Sequence, residues 1–347
     1  MEGAFQEESK IMRTYLVTGG AGFIGSNFLH YAVSKYPNDQ FVCLDALTYA
    51  GNFNNIKSLT KNDNFKFVKG NITDKNMIDN LFNEEKYDYV INFAAETHVD
   101  NSFDNADLFL KTNILGTQVL LDASLKYNVK KYHQISTDEV YGDMPIESTE
   151  LFTENSMIKP SNPYSAAKAS ADLLVLSYYR THKLPVTISR CSNNYGPHQY
   201  PEKLIPVIIS NALMDKPIPI HGNGLNVRDW INVKDHISGI DLVVRKGKAG
   251  EVYNFGGHAE RSNIEIAKII LNYLNKPLSL INYVSNRPGN DLRYAMDSSK
   301  VEKELGWQIG CNFEDGIKET IDWYVNNKKW IEDIISGEYL NSYNKEN

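Results

Sequence analysis

The stretch TYLVTGGAGFIGSNFLHYAVSKY, residues 14–36, restricts the fold of this chain more than any other segment. An apolar, β-branched run stops in glycines, and apolar residues at helical spacing follow until Pro37. That pattern is a strand turning directly into a helix. It recurs down the first half: FVCLDA, FKFVKG, YVINFAA, KKYHQIST and PVTISR read as strands, and DNADLFLKTNILGTQVLLDASLKY and SAAKASADLLVLSYYRTH read as helices between them. Such alternation builds βαβ units, hence an α/β fold with a doubly wound parallel sheet covered on both faces. After Arg190 the pattern loosens, and Pro197, Pro201, Pro206, Pro217, Pro219 and Pro288 break the chain into short elements. A smaller, mixed α/β C-terminal substrate lobe is expected there. The expected division is a disordered extension over 1–12, a sheet domain over 13–190 and the lobe over 191–340, with segments able to interchange across the boundary.

Composition narrows the function. A chain of 347 residues, 42% of them hydrophobic, can fill cores of this size. Its net charge of -7 gives no general attraction for nucleic acid or an anionic membrane, so any bound phosphate must be met by local groups. No run reaches the roughly 20 apolar residues of a membrane helix. The opening MEGAFQEESKIM has neither the basic start nor the apolar stretch of a signal peptide. Cys43, Cys191 and Cys311 are scattered and match no metal-ligand spacing, so no metal is expected and a reducing cytoplasm is the simplest location.

The glycine loop indicates what the sheet domain holds. Gly19, Gly22 and Gly25 recur at three-residue intervals, with Phe23 and Ile24 opening the helix, and Gly20, Gly22 and Gly25 also satisfy G-x-G-x-x-G. Glycine lets the turn be tight and the backbone approach a pyrophosphate at the positive helix end. Alone, such a loop is as often a plain turn. Here Asp45 ends the second strand 20 residues beyond Gly25, where a carboxylate accepts from both ribose hydroxyls. That carboxylate repels a 2'-phosphate, and Ala46, Leu47 and Thr48 offer no arginine to receive one, so NAD is expected rather than NADP.

Two further clusters suggest chemistry. Tyr164 and Lys168 in YSAAK stand four apart on one helical face, where an ammonium can lower the phenol pKa and hold the nicotinamide ribose. Ahead of them, QISTDEVYG ends a strand at the hydroxyl of Thr137 and then presents Asp138 and Glu139. An acid pair in an arbitrary loop is usually a solvated turn. This one follows a hydroxyl-ended strand and precedes Tyr164, which points to proton handling.

Together, the glycine loop, STDEVYG, YSAAK and RCSNNYGP resemble the extended short-chain dehydrogenase/reductase family, and TDE, PEKLIP and RPGND resemble the dTDP-glucose 4,6-dehydratases within it, from about Tyr15 to about Tyr324. The resemblance implies a Rossmann-type sheet domain, a nucleotide-sugar lobe, bound NAD and a homodimer joined through a helical bundle. It also implies a reaction. The C5 proton of a hexose becomes acidic once C4 is a ketone, so the site needs a base for the C4 hydroxyl, a hydride acceptor, a base for C5 and an acid for the C6 hydroxyl. Tyr164 and NAD would serve the first two, with Thr137 positioning the C4 oxygen; Glu139 would take the C5 proton and a protonated Asp138 would release water from C6.

By the same resemblance, Asn71, Ile72, Ala94 and Ala95 lie along the cofactor, and Glu96, Thr97 and Ser102 face the sugar or nicotinamide. Asn113 makes a structural polar contact near the site. Asn193, Glu202, Lys203, Leu204, Arg228, Asn263, Arg287 and Asn290 belong to the nucleotide-sugar end. The chain departs from the family pattern at Asn71, usually acidic, at Asn101 and Leu292, where arginine is common, and at Asn290, where histidine is common. The last two bear on the base, so a UDP-glucose 4,6-dehydratase stays open. So do a nucleotide-sugar 4-epimerase, which has no use for Asp138 and Glu139, and a non-catalytic dinucleotide sensor, which has none for Thr137, Tyr164 and Lys168.

Overall fold

The computed structural model describes residues 12–286 and 289–344. The expected N-terminal extension, apart from Met12, and Arg287 lie outside the described residues. The sheet domain begins with β1 (Thr14–Thr18), α1 (Phe23–Lys35), β2 (Gln40–Asp45), β3 (Phe65–Lys69), α2 (Lys75–Glu84) and β4 (Tyr89–Asn92). Short helices α3 (Val99–Asp104) and α4 (Ala106–Phe109) lead into a π-helical turn, Leu110–Gly116, and then α5 (Thr117–Lys126), β5 (Lys131–Thr137), α6 (Pro163–His182) and β6 (Val186–Cys191). Beyond β6 come β7 (Asn193–Tyr195), α7 (Leu204–Leu213), β8 (Ile218–His221), β9 (Val227–Asn232), α8 (Val233–Lys246) and β10 (Glu251–Phe255). The chain finishes with β11 (Glu260–Ser262), α9 (Asn263–Tyr273), β12 (Ile281–Val284), α10 (Ser299–Leu305), α11 (Phe313–Asn326) and α12 (Lys328–Ser336).

Seven strands form one parallel sheet in the order β10-β6-β5-β4-β1-β2-β3. Because successive side chains alternate across a strand, β1 feeds both faces. Tyr15 and Val17 pack with α1 and α8, whereas Leu16 packs with α2, α5 and α6. This is the doubly wound Rossmann-type architecture. The strand order reverses between β1 and β4, so the loops at their carboxyl ends part and leave a crevice. β10 and α8, both beyond residue 190, complete the sheet domain at its β6 edge and on its α1 face. The rest of the C-terminal half supplies a mixed three-stranded sheet, β11-β9-β7, and a parallel pair, β12-β8. Their core holds Ile205, Ile220, Trp230, Ile270 and Ile321.

The long helix expected over 104–127 is divided. Its middle widens into the π-turn, where Asn113 turns inward and accepts from the Glu96 amide at 2.8 Å while donating to the Glu96 carbonyl at 3.1 Å. Gly116 presses on Ile72: a Cβ there would lie 2.6 Å from that side chain. A π-turn in a helix is often recruited to place one side chain, and here it pins the chain leaving β4.

Candidate active site

The crevice is a cleft of about 530 Å³ that runs from the strand ends into the second lobe. Its first end is the glycine loop. Gly19 has φ +68°, and a Cβ on it would stand 2.5 Å from the Ala94 nitrogen; one on Gly25 would stand 2.4 Å from the Gly19 carbonyl oxygen. Gly22 caps α1 with no side-chain bond, and the first turn carries no acidic residue, so the positive helix end at Gly22, Phe23, Ile24 and Gly25 lines the cleft open to an anion. The Asp45 carboxylate accepts from the Ala21 amide at 2.9 Å and the Leu47 amide at 2.8 Å, which staples the loop while leaving lone pairs for hydroxyl donors. Burial raises its pKa against those two bonds. Asn71 accepts from the amide and hydroxyl of Thr73, both at 2.9 Å, so it keeps an acceptor's role without a charge. Ile72, Ala94 and Ala95 complete this wall.

A narrow glycine cradle, an uncapped helix end and a carboxylate closing β2 fit a dinucleotide with free ribose hydroxyls. NAD should therefore bind more tightly than NADP. Asp45→Ala should narrow the gap, since a charge-assisted hydrogen bond contributes about 1.5–3 kcal/mol. Equilibrium binding of both cofactors checks this, and equal affinities in the unmodified protein would refute it.

The middle of the cleft holds the polar end of β5. Thr137 caps the turn that follows, accepting from the Glu139 amide at 3.3 Å, and its hydroxyl donates to Asp138 Oδ1 at 3.1 Å. Asp138 is 2% exposed, and its Oδ2 has no hydrogen-bond partner. Burial first, and then the Glu139 charge, hold its carboxyl well above the usual carboxylate range. Asn162 and Ser165 form a capping box with Pro163 in the first turn, which starts α6 so that Tyr164 and Lys168 enter the same cleft.

The Lys168 ammonium is anchored to the end of β5, one helical turn from Tyr164 on the same face of α6. Lys168 Nζ donates to the Ile135 carbonyl at 2.5 Å, and burial lowers its pKa against the pull of Asp172 and Cys191. The Tyr164 hydroxyl is raised well above its ordinary value, by burial first and then by Glu139, Cys191 and Asp138. The resting wall thus offers a neutral phenol, a carboxyl biased toward its acid form and a second carboxyl beside it.

The far end comes from the second lobe. Arg228, 8% exposed, is built in: its guanidinium donates to the carbonyls of Val227 at 2.8 Å and Asp291 at 2.9 Å and to Asn290 Oδ1 at 3.4 Å, and it lies 4.7 Å over the Tyr294 ring. Glu202 accepts from the Tyr49 hydroxyl at 3.2 Å, and Lys203 Nζ donates to the Thr97 carbonyl at 2.7 Å, so this segment stitches the lobes together beside Leu204. Buried Glu96 has its pKa raised by burial and then by Glu202. Asn193 and Asn263 line the cleft with buried, unpartnered Oδ1 atoms. Ser192 Oγ, Gln199 Oε1 and Trp230 Nε1 there are also buried without partners. Buried polar atoms of this kind normally find a hydrogen-bond partner, and a polar ligand would supply one.

Ser102 is not among the residues lining the cleft; it is fully buried in α3, and its hydroxyl donates to the Val99 carbonyl at 2.5 Å. Conversely, Cys191, Gln199, Trp230 and Tyr294 line the cleft although sequence reasoning did not select them. Cys191 sits within the RCSNNYGP motif, the signal from which it could be read, whereas the other three carry no spacing signal.

The family model described as GDP-mannose 4,6 dehydratase matches residues 16–320. The dTDP-glucose 4,6-dehydratase of Xanthomonas campestris pv. campestris strain B100 is 46% identical over 346 residues, covering 94% of this chain and 97% of the relative. The crystal structure of dTDP-glucose 4,6-dehydratase from Bacillus anthracis in complex with NAD matches with a TM-score of 0.87 at 46% identity, covering 93% of this chain and 99% of that one. A UDP-glucose 4-epimerase from Thermotoga maritima, solved with UDP-glucose, matches with a TM-score of 0.84 at 29% identity, covering 91% and 99%. The backbone alone therefore barely separates the two activities, and the side chains of the site must do so.

Proposed function

The chain belongs to the GDP-mannose 4,6-dehydratase family, and from that premise we propose that it is an NAD-dependent nucleotide-sugar 4,6-dehydratase, a carbon–oxygen lyase converting dTDP-glucose to dTDP-4-keto-6-deoxyglucose. The observation that carries this reading is Asp138: a buried carboxyl with a raised pKa and a free Oδ2, beside Glu139 and in the same cleft as Tyr164. An epimerase has no step that needs such an acid. A dehydratase must protonate a departing hydroxyl.

NAD, held by the glycine loop and Asp45, would supply the acceptor for the C4 hydride and the donor that restores it at C6. Tyr164 removes the proton of the C4 hydroxyl, which Thr137 positions. With C4 a ketone, Glu139 takes the C5 proton and Asp138 delivers its own to the C6 hydroxyl, which leaves as water; once C6 has received hydride, Glu139 returns its proton to C5 and Asp138 is reprotonated from solvent. Burial and the neighbouring Glu139 charge both favour the protonated form of Asp138, the form that can donate. At the far end Arg228, Asn193 and Asn263 bind the nucleotide diphosphate, with Arg287 expected to assist. Glu202 and Lys203 line the sugar side.

The test is incubation with a panel of nucleotide hexoses and mass analysis for loss of one water. dTDP-glucose should give the higher kcat/KM. Leu204, Val207 and Pro219 line the cleft, and an apolar wall can bury the thymine methyl that uracil lacks, a difference of about 1 kcal/mol or roughly five-fold. A preference for UDP-glucose would show that Asn290 and Leu292 have reshaped the base site.

No helix among the described residues is long and apolar enough to cross a membrane. We place the enzyme in the cytoplasm, where its free cysteines Cys43, Cys191 and Cys311 would stay reduced. We take its working form to be a homodimer. The stretch from the π-turn into α5 packs against α6, and Leu110, Leu115 and Leu173 protrude there, 46%, 52% and 59% exposed. Leu173→Asp should shift the protein toward monomer in sedimentation or size-exclusion runs, and an unchanged dimer would exclude this face.

A further inference from the structure

We propose that the C-terminal segment 328–344 is a strap that holds the loop between β2 and β3 in its cofactor-binding shape, with Tyr339 as a positioning residue. The inference rests on reading that end of the cleft as the NAD site. The family match ends at residue 320, and the strap lies beyond it. Its base belongs to the second lobe: Ile331 joins that core, and Trp330 packs edge-on against Trp323 with centroids 5.3 Å apart.

From this base the strap crosses to the sheet domain. Trp330 Nε1 donates to Asn55 Oδ1 at 2.8 Å, and Asn55 Nδ2 in turn donates to the Ala21 carbonyl of the glycine loop at 2.9 Å. Tyr339, 5% exposed, donates its hydroxyl to the Tyr49 carbonyl at 2.6 Å and stands 3.3 Å from the Tyr200 hydroxyl. Tyr343 meets Phe53 and Phe67 edge-on at 5.2 and 5.3 Å.

The held loop bears on the ligand. Thr48, Ala50 and Gly51 line the cleft, and Leu47 at its start has φ +52°, which a non-glycine residue keeps only when its surroundings hold it. The Tyr49 side chain continues the connection, donating to Glu202 Oε1. One chain of contacts therefore runs from the strap through both the glycine loop and the segment that stitches the lobes. A loop ordered before the ligand arrives spares binding the entropy of ordering it, so loss of the strap should appear in cofactor affinity.

The test compares full-length Tyr339→Phe and Tyr339→Ala with the unmodified protein, measuring the NAD dissociation constant, kcat at saturating NAD and melting with and without NAD. Tyr339→Phe removes one hydrogen bond to the loop and should weaken NAD about three- to ten-fold. Tyr339→Ala should weaken it further. Both should retain kcat at saturation, and the phenylalanine variant should melt as the unmodified protein does when NAD is absent. Unchanged NAD affinity in both variants overturns the strap, even if melting falls equally with and without NAD, because that pattern marks a structural contact only. Absence of NAD binding in the unmodified protein overturns the cofactor reading and the strap together.

Discussion

Glu139→Gln and Asp138→Asn should each lower turnover about 10²- to 10⁴-fold, the range for general acid–base groups, while binding of the nucleotide sugar changes little. Each substitution keeps shape and removes one proton-transfer function. The two variants should also stall at the same point. C4 oxidation precedes both groups, so a 4-keto hexose still forms in a single turnover, with the absorbance of the reduced nicotinamide, and then waits. Near-normal dehydration in both variants would return the pair to the status of an acidic turn.

Asp138→Asn carries a second expectation, in stability. The folded protein holds the Asp138 proton more tightly than the unfolded chain does, because burial and Glu139 raise its pKa. The stabilisation that follows is fully present below the unfolded value of about 3.9 and is lost as pH rises through the folded value. Asparagine does not ionise, so the variant should gain on the parent in melting temperature as pH increases from acid to neutral. Loss of activity with gain of stability is the signature of a functional buried acid. A variant that loses both would place Asp138 in the structural framework instead.

Tyr164→Phe should lower turnover by a similar factor of about 10²- to 10⁴-fold, but with the opposite trace: no reduced nicotinamide appears, because the block falls before C4 oxidation. Tyr164 also reports on its neighbours. After burial, Glu139 is the largest influence raising its pKa, so removing that charge in Glu139→Gln favours the phenolate. The limb of the pH profile for C4 oxidation that belongs to Tyr164 should therefore move to lower pH in Glu139→Gln. An unmoved limb would mean that the two groups do not share one electrostatic environment.

The parts legible in the sequence are those whose cause is local. The glycines at 19, 22 and 25 are demanded by backbone approaches that a Cβ would block, and such demands leave their mark within a few residues. The apolar strands ending at Thr18, Asp45 and Thr137 could be read because a parallel sheet buried on both faces needs continuous apolar runs. Tyr164 and Lys168 share a helical face through spacing alone, and the acid pair is adjacent in the chain. What spacing does not give is the anchor of Lys168: the four-residue interval places the two on one face without saying that the ammonium donates to the Ile135 carbonyl.

Tertiary structure alone decided the remainder. No local pattern announces that residues 251–255 pair with β6, since strand pairing across such a separation is set by which edge remains open once the other strands are placed. Arg228 is held by the carbonyls of Val227 and Asp291 and stacked on Tyr294, so its buried charge depends on two segments folding against each other. The same holds for the contacts from Tyr339 and Trp330 to the loop between β2 and β3, nearly the full length of the chain away. Asp138 is the clearest case. Its position and its neighbour are written in the sequence, but whether it is an ordinary solvated carboxylate or a retained acid depends on the water excluded around it, and only packing of the two lobes about the cleft excludes that water.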